Sequence, residues 1–263
     1  MPQMSARPQR FPGHRYSQHI PEPEVVEPGS PAPWAGLQET ARSGLSVEVV
    51  TARLRHAGRL LGVDATPNDL AHASVVADAA QAPILERSAV LVAVYEESDE
   101  ARVILTRRSA SLRNHGGEIA LPGGRCEPGE PPVAAALREA REEVGLAPSL
   151  VTPLAWLSPM VSYASNSSIW PVVGVLATRP ELVANPDEVE RVFSVALVDL
   201  VADGAFVEER WRRAPRRPDA DEEGFFSIYF FKVPDEVIWG ATARVLVELL
   251  ALATGAPWPP STS

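Results

Sequence analysis

Three glutamates stand close together in a stretch whose residue types favour a helix. Glu139, Glu142 and Glu143 lie within residues 124–146, which read GRCEPGEPPVAAALREAREEVGL. Residues three and four apart on a helix have Cβ atoms about 5–6 Å apart, so these carboxylates repel each other unless a cation lies among them. Mg²⁺ and Mn²⁺ prefer oxygen ligands. The spacing therefore predicts a site for Mg²⁺ or Mn²⁺.

The sequence around these glutamates indicates where the helix begins and ends. The proline pair at 131–132 suits a first helical turn, and Gly145 suits a C-terminal stop. One face of the helix is apolar and is expected to pack on a core, with the three acids on the opposite side; this face comprises Val133, Leu137, Ala140 and Val144. Gly123 and Gly124 allow backbone to approach the acids, and their carbonyl groups are further candidate ligands.

A solvated helix face, with its acids paired to Arg138 and Arg141, is the alternative interpretation. Against it, the stretch resembles the Nudix box, G-x5-E-x7-R-E-U-x-E-E-x-G-U with U apolar, from Gly124 to Leu146. Every position matches, and Ala140 and Leu146 fill the apolar places. The resemblance implies an α/β fold, the Nudix-type α/β/α sandwich around a mixed sheet.

The resemblance also implies roles for the glutamates in metal-dependent hydrolysis of a diphosphate linkage. Glu139 and Glu143 are the expected main metal ligands, with Gly124 as a further ligand and Glu142 as third ligand or general base. Arg138 is expected to orient the cluster and to pair with Glu130. Glu188 is another candidate base, and its alternative role is that of an acid in the first turn of a helix.

A basic loop precedes the box, in residues 104–124, ILTRRSASLRNHGGEIALPGG. Arginines suit bidentate phosphate contacts, and the Gly116–Gly117 pair allows backbone N–H groups to approach an anion. The alternative is a surface loop whose arginines pair with Glu86 or Glu118. The candidate substrate-binding residues are Arg107, Arg108, Arg113, His115 and Gly117.

This loop resembles the extra motif of the coenzyme A pyrophosphatase branch of Nudix hydrolases, L-L-T-x-R-[SA]-x3-R-x3-G-x3-F-P-G-G. Ile104 replaces the first leucine and Leu121 the phenylalanine. The resemblance implies cleavage of coenzyme A or its derivatives to 3′,5′-ADP and 4′-phosphopantetheine, the basic loop holding the pyrophosphate or the 3′-phosphate. Other readings are a Nudix pyrophosphatase for ADP-ribose, NADH or modified nucleoside triphosphates, and a non-catalytic nucleotide-binding regulatory module.

Apolar patterning predicts the elements that must position these residues. A Pro-rich disordered tail is expected over 1–32, one Nudix domain with an N-terminal helical extension over 33–255, and a C-terminal tail over 256–263. Helices are expected at 46–62, 68–80 and 237–254. Strands are expected at 88–95, 103–106, 151–157, 169–178, 193–197 and 225–233, the first two forming a hairpin.

Composition limits the partners. The net charge of −10 argues against general nucleic-acid binding, so a small-molecule substrate is expected. Cys126 is the single cysteine, which excludes a disulfide framework and favours a reducing, cytoplasmic location. No apolar run is long enough for a membrane span, and the N-terminus has no apolar signal-peptide core. The oligomeric state stays open.

Overall fold

The computed structural model describes residues 18, 20–59, 86–112, 114–163 and 165–258. The expected helix at 68–80 and the far ends of both tails lie outside these residues. The described helices are α1 (Glu39–Ser43), α2 (Val47–His56), α3 (Pro132–Val144), α4 (Leu197–Leu200) and α5 (Gly240–Thr254). The described strands are β1 (Val25–Pro28), β2 (Glu86–Glu97), β3 (Glu100–Arg108), β4 (Ile119–Ala120), β5 (Gly123–Arg125), β6 (Val151–Trp156), β7 (Met160–Ser162), β8 (Ser167–Leu176), β9 (Val189–Ala196), β10 (Phe206–Arg212), β11 (Phe225–Val233) and β12 (Glu236–Trp239).

A large mixed sheet forms the centre of the fold, with the order β4-β3-β2-β8-β6 and with β5, β7 and β9 attached to β2, β8 and β3. The pair β2–β8 is parallel, and the pair β2–β3 is an antiparallel hairpin. Its two-residue turn has positive φ at Ser98 and Asp99, which matches the twist of the flanking strands. The predicted hairpin is therefore confirmed.

The two faces of strand β2 belong to different core clusters. Leu91 shares a cluster with Ala136 of α3, whereas Val92 shares another with Leu54 of α2 and Leu246 of α5. Successive side chains of a strand point to opposite faces, so the apolar run of β2 can bury both. Helices thus cover both faces of the sheet, which confirms the α/β/α sandwich.

A second, antiparallel sheet has the order β1-β10-β11-β12. Strand β1 pairs along β10, so the prediction of a disordered tail up to residue 32 was wrong for residues 25–28. Strand β12 takes the first residues expected for the last helix, because Val237 and Ile238 pair with β11 and the helix begins only at Gly240, where φ is +62°. No helix among the described residues is long and apolar enough to cross a membrane.

Candidate active site

Helix α3 begins after Pro131 and ends at Gly145, which has a left-handed backbone, as the sequence predicts. Its buried face is rotated from the expected one. Glu143 is only 3% exposed and lies among buried alanines such as Ala136 and Ala140, whereas Leu137 is partly buried. The prediction that the acids lie opposite the packed face was wrong for Glu143. Small alanine side chains let the helix approach the sheet closely and carry this carboxylate inward.

The glycine pair lies against two of the helix carboxylates. The Gly123 N–H donates a hydrogen bond of 3.0 Å to Oε2 of Glu143. A Cβ atom placed on Gly124 would lie 2.6 Å from the carboxylate carbon of Glu139, and one placed on Gly123 would lie 2.3 Å from the carbonyl oxygen of Ala89. Gly123 is therefore required, because the backbone of strand β2 occupies the space of a side chain there, whereas a side chain at Gly124 would displace the Glu139 carboxylate from its place beside the strand.

The charges of these carboxylates are incompletely compensated. The pKa of Glu143 is raised to about 7, chiefly by burial and in smaller part by Glu188 and Glu139, while the Gly123 N–H and Arg108 oppose the rise. Burial also raises the pKa of Glu139, against the effect of Arg138. Like-charge neighbours and desolvation both disfavour the ionised forms. A bound cation would remove that penalty.

Arg138 joins the loop before the helix to the acids on it. Its guanidinium donates hydrogen bonds of 2.9 Å to Glu130 and Glu139, 3.1 Å to Glu142 and 3.0 Å to the carbonyl oxygen of Arg125. The predicted pair with Glu130 is present, and it lowers the pKa of Glu130. The Glu142 side chain is 54% exposed, so it faces solvent and Arg138 rather than the glycine pair.

Glu188 approaches the same carboxylates from the loop before β9. Its charge acts on both Glu139 and Glu143, raising the pKa of each. Its backbone is held by Ser109, whose N–H donates to the Glu188 carbonyl oxygen at 2.8 Å, and by Asn185. The next residue, Val189, starts a strand, so the alternative reading of Glu188 as a first-turn helix acid was wrong.

Arg107 and Arg108 are neighbours in β3 but have different partners. Nη1 of Arg108 lies 3.6 Å from Oε1 of Glu143, so Arg108 belongs to the carboxylate cluster. Nη1 of Arg107 lies 2.7 Å from Oε1 of Glu236, which starts β12. Successive strand residues point to opposite faces, and the register with β9 shifts at this point. The structure thus separates Arg107 from the site.

The rest of the basic loop is only partly available for an anion. The Gly117 N–H donates to the Arg108 carbonyl oxygen at 3.1 Å, so it closes the turn and is not free for phosphate. Nδ1 of His115 lies 3.1 Å from Oε2 of Glu118, and this contact raises the His115 pKa. The alternative reading, in which arginines of the loop pair with Glu86 or Glu118, is not seen for Arg107 or Arg108, whose partners are Glu236, Glu190 and Glu143. Arg113 lies outside the described residues.

A cavity of about 620 Å³ opens beside the glycine pair and extends between the two sheets. Gly123, Gly124, Arg108 and His115 are among the residues that line it. The lining also includes residues that the sequence analysis did not assign to the site, namely Met160, Val161, Ile228, Trp239 and Ala241. The β-prone run 225–233 indicated the strand that carries Ile228, but no local signal indicated that this strand faces the glycine pair.

Residues 85–236 match the family model described as the NUDIX domain, which is more than half of the chain. The chain belongs to the Nudix family. Gly124, Arg138, Glu139 and Glu143 therefore belong to the folded form of the stretch that resembles the Nudix box, and Gly123 lies directly before it.

Several named relatives share the Nudix region. Nudix hydrolase 15, mitochondrial, of Arabidopsis thaliana is 35% identical over 65% of this chain and 60% of its own, and Nudix hydrolase 22, chloroplastic, of the same plant is 38% identical over 62% and 54%. The chain thus spans less than two thirds of these plant proteins. An uncharacterized Nudix hydrolase NudL of Photorhabdus laumondii is 34% identical over 56% of this chain and 74% of its own. The organelle names belong to the plant proteins, and the cytoplasmic location expected here stays a prediction.

The donor set of the Nudix box fits a hard divalent cation. Glu139 and Glu143 offer carboxylate oxygens beside the glycine pair, and both have raised pKa values, as expected for acids that lack sufficient positive charge. Among the described residues, no three acidic, histidine or cysteine side chains are gathered closely enough to hold a metal by themselves. In the structure Arg138 donates to both Glu139 and Glu142, and the Gly123 N–H donates to Glu143. Mg²⁺ commonly takes one or two carboxylates and completes its shell with water and substrate phosphates.

Proposed function

We propose that this chain is a metal-dependent Nudix pyrophosphohydrolase acting on coenzyme A or its derivatives, with 3′,5′-ADP and 4′-phosphopantetheine as products. The observation that carries the hydrolase proposal is the pair of under-compensated carboxylates, Glu139 and Glu143, against the glycine pair at the end of a cavity lined by Arg108. The coenzyme A assignment is supported by the resemblance of residues 104–124 to the coenzyme A pyrophosphatase motif.

The chain's own groups divide the work of binding and orientation. A divalent cation, when bound, neutralises diphosphate oxygens and lowers the pKa of an attacking water. Glu139 and Glu143 would hold it, and Arg138 keeps Glu139 in place through its hydrogen bond. Arg108 adds positive charge at the same point, so we assign it to the diphosphate rather than to the more distant 3′-phosphate.

Two glutamates are candidates for the general base. Glu142 is engaged by Arg138 and is half-exposed, which suits a peripheral ligand. Glu188 comes from a separate loop and its charge acts on both Glu139 and Glu143, which supports a role in taking a proton from a water near them. We therefore propose Glu188 as the base and Glu142 as a supporting acid.

One substrate panel tests the proposal. Coenzyme A, acetyl-CoA, ADP-ribose, NADH and nucleoside triphosphates are incubated with the full chain and Mg²⁺ or Mn²⁺, and the products are separated by chromatography. We expect 3′,5′-ADP from the coenzyme A substrates, and loss of product with a chelator. Faster cleavage of ADP-ribose, NADH or a nucleoside triphosphate would assign another Nudix specificity. Binding without cleavage of any member would indicate the regulatory module instead.

A further inference from the structure

The N-terminal segment, defined here as Gln18 and residues 20–28, crosses the second sheet and reaches the cavity. Gln18 contacts β12 at one edge of that sheet, and β1 forms the opposite edge. Between these points, Ile20 packs on the apolar cluster of the second sheet, and Pro21 is part of the cavity lining. The family model begins only at residue 85. Part of the cavity lining therefore comes from chain that precedes the matched domain.

Gln18 makes two hydrogen bonds to β12 from a buried position, 7% exposed. Its Nε2 donates to the carbonyl oxygen of Val237 at 2.8 Å, and its Oε1 accepts from Nε1 of Trp239 at 3.1 Å. Strand β12 ends the order of the second sheet, and an edge strand leaves backbone groups without a partner in the sheet. A carboxamide offers a donor and an acceptor together, so Gln18 can serve the backbone and the indole at once.

Trp239 is the cavity residue that this arrangement holds. It is the last residue of β12, directly before helix α5, and it lines the cavity. An indole has one hydrogen-bond donor and no acceptor, and a buried indole N–H usually finds a partner. The hydrogen bond to Gln18 therefore favours one orientation of the ring. Gln18 itself acts on the cavity only through Trp239.

Other polar contacts of the segment fall into two kinds. Glu24 contacts the loop after β10, since its N–H donates to the Arg212 carbonyl oxygen at 3.1 Å and its Oε1 accepts from the Ala214 N–H at 3.2 Å. Ala214 lines the cavity. Glu27, in contrast, pairs at 3.2 Å with Arg210, a residue outside the cavity lining. The segment thus offers contacts to the cavity wall and, for comparison, a contact to the sheet alone.

We propose that the N-terminal segment belongs to the active site, and that Gln18 is a positioning residue that holds Trp239 in the cavity wall. The inference rests on the hydrolase function proposed above, because it requires the substrate to enter this cavity. It adds to that function a determinant of substrate affinity outside the Nudix box. Loss of Gln18 should weaken substrate binding and leave the metal-dependent step intact, because Gln18 acts on the wall and not on Glu139 or Glu143.

Steady-state kinetics on the full chain, with coenzyme A and Mg²⁺, tests this role. The proteins compared are the wild type, Gln18→Leu, Trp239→Phe, the double variant and the control Glu27→Ala. Leucine stays buried but removes both hydrogen bonds, so we expect Gln18→Leu to raise KM about three- to tenfold and to change kcat less than about twofold. Trp239→Phe keeps a ring but lacks the donor, so adding Gln18→Leu to it should raise KM no further. Glu27→Ala should leave KM and kcat unchanged.

Fluorine NMR of the chain labelled with 5-fluorotryptophan observes the ring directly. The chain has six tryptophans, and Trp239→Phe identifies the Trp239 signal by its loss. We expect this signal to shift in Gln18→Leu and to stay in place in Glu27→Ala. An unmoved signal, an unchanged KM or an equal rise of KM in Glu27→Ala would each overturn the inference. Thermal unfolding checks that the variants are folded, and Gln18→Met supplies the same test if Gln18→Leu does not fold.

The same measurements separate this inference from the function on which it rests. If coenzyme A is cleaved and Gln18→Leu changes neither KM nor the Trp239 signal, the function stands and the positioning role is wrong. If another substrate of the panel is cleaved instead, the coenzyme A function is wrong, and KM for that substrate tests Gln18 in the same way. If no substrate is cleaved, the hydrolase function is wrong, and the claim that the segment belongs to an active site falls with it.

Discussion

Glu143 in the Nudix box and Glu236 at the start of β12 are equally buried, each 3% exposed, but their surroundings differ. Glu236 accepts hydrogen bonds from two guanidiniums, at 2.7 Å from Arg107 and 2.5 Å from Arg191. Glu143 has one guanidinium at 3.6 Å, the N–H of Gly123 and two other carboxylates nearby. One buried charge is neutralised by the protein, and the other is left short of positive charge.

This difference distinguishes a structural carboxylate from a candidate ligand. A buried ion is tolerated when it is paired and hydrogen-bonded, as Glu236 is where β3, β9 and β12 approach one another. The pKa of Glu143 is about 7 because the stabilisation of its ionised form by nearby hydrogen bonds and positive charge is smaller than the cost of its desolvation. Burial alone therefore does not reveal function, whereas the deficit of positive charge points to a cation.

The largest expected effect is on catalysis, and it concerns Glu143. Glu143→Gln should lower kcat by about 10³-fold or more with Mg²⁺ or Mn²⁺, since several kcal/mol of metal-borne stabilisation are lost. Steady-state hydrolysis of coenzyme A measures this, and circular dichroism checks the fold. Unchanged turnover in Glu143→Gln would remove the proposed mechanism.

Replacing Glu236 should lower the stability of the fold and leave the rate of hydrolysis unchanged. Glu236→Ala leaves Arg107 and Arg191 without their shared carboxylate, so the free energy of unfolding should fall by about 3 kcal/mol. Urea unfolding measures the loss, and kcat of the folded fraction should stay near the wild-type value. A loss of kcat in Glu236→Ala at unchanged stability would show that Glu236 acts in catalysis, and the distinction drawn between Glu236 and Glu143 would be wrong.

Arg108 and Arg107 differ in the same way as the two glutamates, because Arg108 lies beside Glu143 and Arg107 pairs with Glu236. Arg108→Ala should lower kcat/KM about 10- to 100-fold, because one charge-assisted contact to a phosphate is lost. The loss should be the same for coenzyme A and 3′-dephospho-coenzyme A, as expected for a contact to the diphosphate. A larger loss for coenzyme A would instead assign Arg108 to the 3′-phosphate. Arg107→Ala is the matched control, expected to lower the melting temperature and leave kcat/KM nearly unchanged.

The smallest expected effect is on the pH dependence of stability without metal. The pKa of Glu143 is about 7 in the folded chain and lies near the ordinary glutamate value of 4.5 when the chain is unfolded, so the folded state binds more protons between these two pH values. Stability in a chelator should therefore fall as pH rises from about 4.5 to 7, with Glu143 contributing about 2–3 kcal/mol. Melting temperatures at pH 5 and pH 8 should differ less in Glu143→Gln than in the wild type, and adding Mg²⁺ at pH 8 should raise only the wild-type value. Equal pH slopes in the two proteins would contradict the assignment.

Local patterns were sufficient for much of the fold. The β2–β3 hairpin, strand β11 and the bounds of helix α3 follow from alternation, turn residues and stop signals that act over a few residues. Strand β10 was not predicted, because its sequence, FVEERWR, is mostly charged. It forms a strand because it pairs with β1 and β11. Strand β1 lies in a Pro-rich segment and gains its hydrogen bonds only from that distant partner.

The site shows the same division. Residues 123–146 by themselves determined that a helix would carry Glu139 and Glu143 beside a glycine pair, since spacing and backbone freedom are local properties. Only the tertiary structure decided that Glu143 is buried, that Arg108 joins it while Arg107 pairs with Glu236, and that the charge of Glu188 acts on both Glu139 and Glu143. Those outcomes depend on which strands pair, in which register, and on how closely an alanine-faced helix can pack. Contacts between residues tens of positions apart set these distances, and no short-range pattern encodes them.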